Sequence, residues 1–203
     1  MNKWLLSLSI ATALMAGGMQ AMAGDAAAGK VKSATCAACH NADGNSVNPI
    51  WPKIAGQHAG YLEGQLQAFK SGQRKDPTMT AMAAPLSEDD MADLAAWFAS
   101  QKQTPGSADP ALASAGEKLY RGGNAASGVS ACQACHTPSG DGNPASGFPA
   151  ISGQHAAYLE KTLKDYRSGD RGASEKGKMM RGVAAKMTDA EIAAVAQYVQ
   201  GLQ

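Results

Sequence analysis

Cys36-Ala37-Ala38-Cys39-His40 is stated a second time as Cys132-Gln133-Ala134-Cys135-His136, and the reading of this pair decides the fold. Two thiols three residues apart on a helical turn can each form a thioether with one of the two vinyl groups on one edge of a porphyrin. The next residue then puts an imidazole beneath the iron as the proximal ligand. Cys-x-x-Cys-His is accordingly the attachment signature of c-type haem. Two copies predict two covalently bound haem c groups, held by Cys36 and Cys39 and by Cys132 and Cys135, with His40 and His136 on the irons. The motifs use all four cysteines, so none is left for a disulfide. A thioredoxin-like pair would need a preceding strand in a βαβ unit, whereas the approach here is rich in Ala and Lys and reads as helix. One zinc site built from all four cysteines would call for pairs much closer in sequence and would leave both histidines unexplained.

Residues 1–23 read as a secretory signal. Lys3 supplies the positive region, Trp4 to Met15 the apolar run, and Ala21-Met22-Ala23 the small-x-small cleavage pattern, so the mature chain is expected to start at Gly24. The apolar run is short for a bilayer span, and no later segment approaches that length. Export points to the periplasm, where haem is attached to cysteines. Losing Lys3 takes the formal charge from +1 to zero, and no basic tract of the kind a nucleic-acid partner requires is present.

Beyond the two motifs the halves match point by point. Gly44-Asn45 recurs as Gly142-Asn143. Pro52-Lys53-Ile54-Ala55-Gly56-Gln57-His58 recurs as Pro149-Ala150-Ile151-Ser152-Gly153-Gln154-His155, each followed after two intervening residues by Tyr-Leu-Glu, and Ser71-Gly72 recurs as Ser168-Gly169. A repeat of about a hundred residues is far too long for a solenoid unit and reads as a duplicated domain. The expected organisation is a first domain at 24–104, a Pro-, Gly- and Ser-containing linker at 105–110, and a second domain at 111–203. Each domain is at the small end of what folds alone, and a covalent haem would fill much of each core.

Both halves read as all-α. Asp25 is a plausible N-cap for the helix approaching Cys36, and Pro110 sits at the first position of its counterpart. Leu62, Leu66 and Phe69 share one helical face, as do Leu159, Leu163 and Tyr166. Ser87 and Thr188 are N-caps of the last helices, with Glu191 completing a capping box. Met91, Leu94, Ala95 and Phe98 then line one face, repeated by Ile192, Val195, Ala196 and Val199. Nothing alternates as a strand.

His40 and His136 leave one axial position open on each iron. Methionine, a second histidine or a vacancy would imply different functions. The caps Ser87 and Thr188 fix the register: eight residues before them stand Met79 and Met180, while Met82 aligns with Val183, Met179 with Thr78 and Met187 with Leu86. Only Met79 and Met180 are methionine in both copies, and both are expected in a loop between helices. Core packing is the ordinary reading of Met82, Met91 and Met187. His58 and His155 also obey the repeat; a helix-capping or surface role is the reading for each Gln-His pair, with bis-histidine ligation as the alternative. The carbonyls of Pro52 and Pro149 are candidates to accept the second ring N–H of the proximal histidines, against a plain turn role.

With these residues in place, the chain resembles the cytochrome c4 family of dihaem cytochromes. The carrying segments are the haem motif at Cys36, Phe148-Pro149-Ala150-Ile151-Ser152-Gly153-Gln154-His155, Met180-Arg181-Gly182-Val183-Ala184-Ala185-Lys186, and Met79-Thr80-Ala81-Met82 followed by Pro85-Leu86-Ser87. The likeness spans essentially the whole mature chain, with Trp51 standing where the second copy has Phe148. It implies two class I cytochrome c domains, His/Met ligation at His40, Met79, His136 and Met180, and Pro52 and Pro149 hydrogen-bonded to the proximal histidines. It also implies two haems close across a domain interface and electron delivery to a membrane haem–copper oxidase. The expectation is a periplasmic electron carrier that meets redox partner proteins, a membrane cytochrome of the respiratory chain as donor among them, either free or peripherally associated with the membrane. The alternative is a dihaem enzyme such as a periplasmic peroxidase, which needs one open iron position and an acid–base group above it.

Overall fold

The computed structural model describes residues 24–203, so the expected leader at 1–23 lies outside the described residues. Within them the chain is helical and forms no sheet; the only pairings of strand type are the isolated bridges Asn124–Val129 and Asn143–Phe148. The first half runs through α1 (Ala26–Lys32), α2 (Ala37–His40), α3 (Ala59–Lys70), α4 (Pro77–Ala83) and α5 (Glu88–Ala99). The second repeats the series as α6 (Pro110–Gly122), α7 (Gln133–His136), α8 (Ala156–Ser168), α9 (Glu175–Ala184) and α10 (Asp189–Gly201).

Local chemistry sets where these helices start. The Asp25 carboxylate accepts from the N–H groups of Ala27 and Ala28, and Asp109 does the same for Ala111 with Pro110 at the first position. Ser87 and Thr188 both form reciprocal capping boxes, with Asp90 and Glu191 as the returning carboxylates. Once started, α5 buries Met91, Leu94, Ala95 and Phe98, and α10 buries Ile192, Val195, Ala196 and Val199. Each such side chain removed from water stabilises by about 1.5–3 kcal/mol when large and apolar.

In each half the first and last helices cross, α1 on α5 and α6 on α10. The crossing is made at a glycine in both copies. A Cβ at Gly29 would run into the Asp93 carbonyl, and one at Gly116 into the Ala194 carbonyl.

The halves are joined by a reciprocal set of bonds. Gln57 Nε2 donates to the Ala150 carbonyl (2.7 Å) and its Oε1 accepts from Ala150 N–H (3.0 Å). Gln154 does the same to Lys53, at 2.7 and 2.8 Å. Because Lys53 and Ala150 are equivalent in the repeat, the two pairs are related by an approximate twofold. Gln103 and Thr104 cross the seam: Lys53 Nζ donates to Thr104 O, Gln103 Nε2 to Ser152 O, and Thr104 N–H to Asn45 Oδ1.

Candidate haem centres

The two Cys-x-x-Cys-His segments fold alike. A single turn, α2 or α7, carries the second cysteine and the histidine, and the helix stops at once because the next residue leaves helical space. Asn41 (φ 59°, ψ 166°) and Thr137 (φ 66°, ψ 162°) are the only non-glycine residues with positive φ among the described residues. Such backbone costs of order 1–3 kcal/mol and persists where its surroundings enforce it. Asn41 is held by its own amide, which donates to Asn45 O, and Thr137 by the Tyr120 hydroxyl, which donates to its carbonyl.

The reversal brings a proline carbonyl back over each imidazole. His40 Nδ1 lies 2.9 Å from Pro52 O, and His136 Nδ1 lies 2.9 Å from Pro149 O. A carbonyl only accepts, so Nδ1 carries the proton and Nε2 is left with its lone pair. Both rings are buried. Burial holds both imidazoles below the usual histidine value, against the proline bonds, which raise it. The same burial pushes the Cys36 thiol up and that of Cys132 to about 11, the opposite of an activated thiolate.

His40, Met79, Pro52, Cys36 and Cys39, together with His136, Met180, Pro149, Cys132 and Cys135, all line one continuous cavity of about 1510 Å³. Single small-molecule sites run to roughly 300–1,000 Å³, so this space, walled by both halves, is of a size for two groups. No group of three or more His, Cys, Asp or Glu that could hold a metal ion occurs among the described residues, so the four cysteines do not converge on one ion.

The structure differs from the sequence reading at the methionines. Met79 and Met180 lie within α4 and α9, where loops were expected. The Asp76 carboxylate accepts from Met79 N–H with Pro77 at the first position, and Ser174 caps α9, so each methionine is presented by a short capped helix. Met91 and Met187 are core residues as expected, but Met82 is exposed at the cavity edge. His58 and His155 occupy the N-cap positions of α3 and α8, as expected, but make no side-chain cap bond; their rings turn to the other half instead. His58 Nε2 reaches Asp141 O and His155 Nε2 reaches Ser46 O, both at 2.8 Å across the seam.

The cytochrome c family model matches residues 26–102 and again 113–203: the chain is built of two c-type cytochrome domains. Cytochrome c4 of Pseudomonas aeruginosa is 49% identical over the full length of both chains. The crystal structure of reduced recombinant cytochrome c4 from Pseudomonas stutzeri superposes with a TM-score of 0.86 at 50% identity, covering 89% of this chain and 100% of that one. A protein named thiosulfate dehydrogenase electron acceptor, from Thiomonas intermedia, is 38% identical over 85% of this chain and 81% of its own. The chain belongs to the cytochrome c4 family. It is a dihaem electron-transfer cytochrome with two covalent haem c groups, and its cysteine pairs fit the thioether pattern.

Proposed function

We propose that the chain is a periplasmic one-electron carrier and not an enzyme, with Cys36, Cys39, Cys132 and Cys135 as the attachment points. His40 with Met79 and His136 with Met180 are the residues that would hold the two irons. When bound, each haem supplies a ferrous/ferric couple whose potential a methionine thioether raises. Pro52 and Pro149 fix the histidine tautomer and aim Nε2 at the cavity. The capped helices α4 and α9 present Met79 and Met180 on the cavity wall, so both thioethers would be supplied by fixed elements and little of the chain would have to move with the electron. The observation that carries this reading is the duplicated His–Pro bond, with a duplicated methionine lining the same cavity.

The electrons pass from a respiratory-chain donor towards a membrane haem–copper oxidase. Relatives named thiosulfate dehydrogenase electron acceptors favour a second reading of the donor, an exported dehydrogenase. Among the described residues no helix is long and apolar enough to cross a membrane.

Replacing Met79 or Met180 by Ala tests the assignment. Each change should lower one of the two potentials and open one iron to added carbon monoxide, leaving the other as it was. Unchanged potentials in both variants would overturn the ligand set.

A further inference from the structure

The peptide unit between Pro149 and Ala150 is hydrogen-bonded at both ends. Its carbonyl accepts from His136 Nδ1–H (2.9 Å), and its N–H donates to Gln57 Oε1 (3.0 Å). The unit between Pro52 and Lys53 is held in the same way, by His40 at 2.9 Å and by Gln154 Oε1 at 2.8 Å. In both copies the glutamine comes from the opposite half of the molecule.

Both amides are fixed in place. Gln57 Oε1 also accepts from His58 N–H (2.9 Å) while its Nε2 donates to Ala150 O, so exchanging its oxygen and nitrogen would lose all three bonds. Gln154 is fixed likewise by His155 N–H (3.1 Å) and Lys53 O. Just before each glutamine a glycine N–H anchors the chain to the last helix of its own half, Gly56 to Phe98 O and Gly153 to Val199 O, both at 2.9 Å. Both glutamines are buried, so water competes little for these bonds.

Docking alone would be served by any peptide on the facing half. The one used in both copies is the peptide whose carbonyl aims an imidazole. Hydrogen bonds linked through a polarisable group strengthen one another, by about 10–30% per bond. An acceptor on the N–H therefore makes the proline carbonyl a better acceptor, and a more tightly held Nδ1–H makes the imidazole more basic at Nε2. A more basic ligand favours ferric iron and lowers the potential, since hydrogen bonding behind the ligand is one of the protein's levers on it.

We infer that Gln57 and Gln154 are crossed positioning residues. Gln57 of the first half sets the orientation and basicity of His136 in the second, and Gln154 does the same for His40. Neither half then reaches its final potential until the other is docked against it. The inference rests on His40 and His136 as iron ligands and is independent of the sixth ligands.

The test is a redox titration of the holoprotein followed by NMR, for wild type, Gln57→Leu, Gln57→Glu and Gln154→Leu. The ring signals of His40 and His136, assigned through the sequence, report the two irons separately. Haem content and hydrogen exchange of the Lys53 and Ala150 amides are recorded alongside. Leucine is similar in size and offers no acceptor. Gln57→Leu should move the His136 iron about threefold towards ferrous, roughly 28 mV for one electron. It should also speed exchange at Ala150 and leave the His40 iron nearly as it was. Gln154→Leu should do the converse, at His40 and Lys53. Gln57→Glu keeps an oxygen for the Ala150 N–H and should raise neither potential. Where Gln57→Leu fails to hold two haems, Gln154→Leu is read by the same criteria. Equal shifts at both irons, as general loosening of the seam would give, would overturn the inference. So would a shift confined to the variant's own half, or none. A fault in the ligand assignment shows elsewhere, as wild-type ring signals of His40 or His136 that do not follow the titration, and would overturn both readings together.

Discussion

The two halves carry the same site kit and solve the same helix crossing by opposite means. Counting from Gly29 and Gly116, Lys32 at the end of α1 and Ser33, its C-cap, stand where Leu119 and Tyr120 stand in α6. In the first half Lys32 Nζ bridges Asp90 (2.7 Å) and Asp93 (2.6 Å) of α5, and Asp93 also accepts from Asp25 N–H. In the second half Tyr120 is fully buried against Tyr198, ring centroids 5.3 Å apart, with Leu119 in the same core. The rims differ too. Val47 (84% exposed), Ile50 (60%) and Trp51 (37%) leave an apolar lip on the first half, while Phe148 in the second lies under the Lys176 ammonium, 5.6 Å from its ring. Duplication has preserved what a haem demands and has left the clamping of the helices free to diverge.

The sharpest way to break this comparison is Tyr120→Ala. The second half should lose about 3–5 kcal/mol, the usual cost of emptying a buried aromatic site, while Ser33→Ala in the first should cost at most about 1–2 kcal/mol. Chemical denaturation followed at the haem absorption of each domain checks both. Equal losses would mean that the cores are not as different as their packing indicates.

A smaller effect is expected from acid. The salt-bridging bond to Lys32 is the largest cause holding both the Asp90 and Asp93 carboxyls below the usual carboxylate range. Their contribution is therefore fully present above the unfolded carboxylate value and is lost as pH falls from about 5 through the lowered folded values. The first half should lose stability over that window, less so in high salt, and Lys32→Met should flatten the dependence. The matching position in the second half, Glu191, is answered by the neutral Asn124 amide at 2.7 Å, so Lys32→Met should leave that half's acid response unchanged. Thermal unfolding at stepped pH, read for each domain, separates the two.

Much of this was legible in the residues. Covalent haem chemistry imposes a fixed spacing, and the capping residues impose a register, so the cysteines, histidines and helix faces could be read directly. The helices bearing Met79 and Met180 were signalled by Asp76-Pro77 and by Ser174, but are short enough to pass for loops. The Gly29 and Gly116 crossing lies in segments whose remaining residues have diverged, which hides the pairing. The trans-domain roles of Gln57 and Gln154 were not legible, because a local repeat does not reveal which face of one copy meets the other. His58 and His155 show the same limit: their repetition reflects a seam with approximate twofold symmetry, and only the folded chain supplies that symmetry.

The central claim is one His/Met-ligated haem in each half. The optical spectrum of the purified, fully oxidised protein, with haem counted per chain, tests it most directly. The account predicts two haems, the weak red-edge band of methionine sulfur on ferric iron at full strength for both, and no rapid binding of cyanide or carbon monoxide. Two haems with the band on only one, or a high-spin fraction that takes up ligand, would contradict it and favour an enzyme with an open iron.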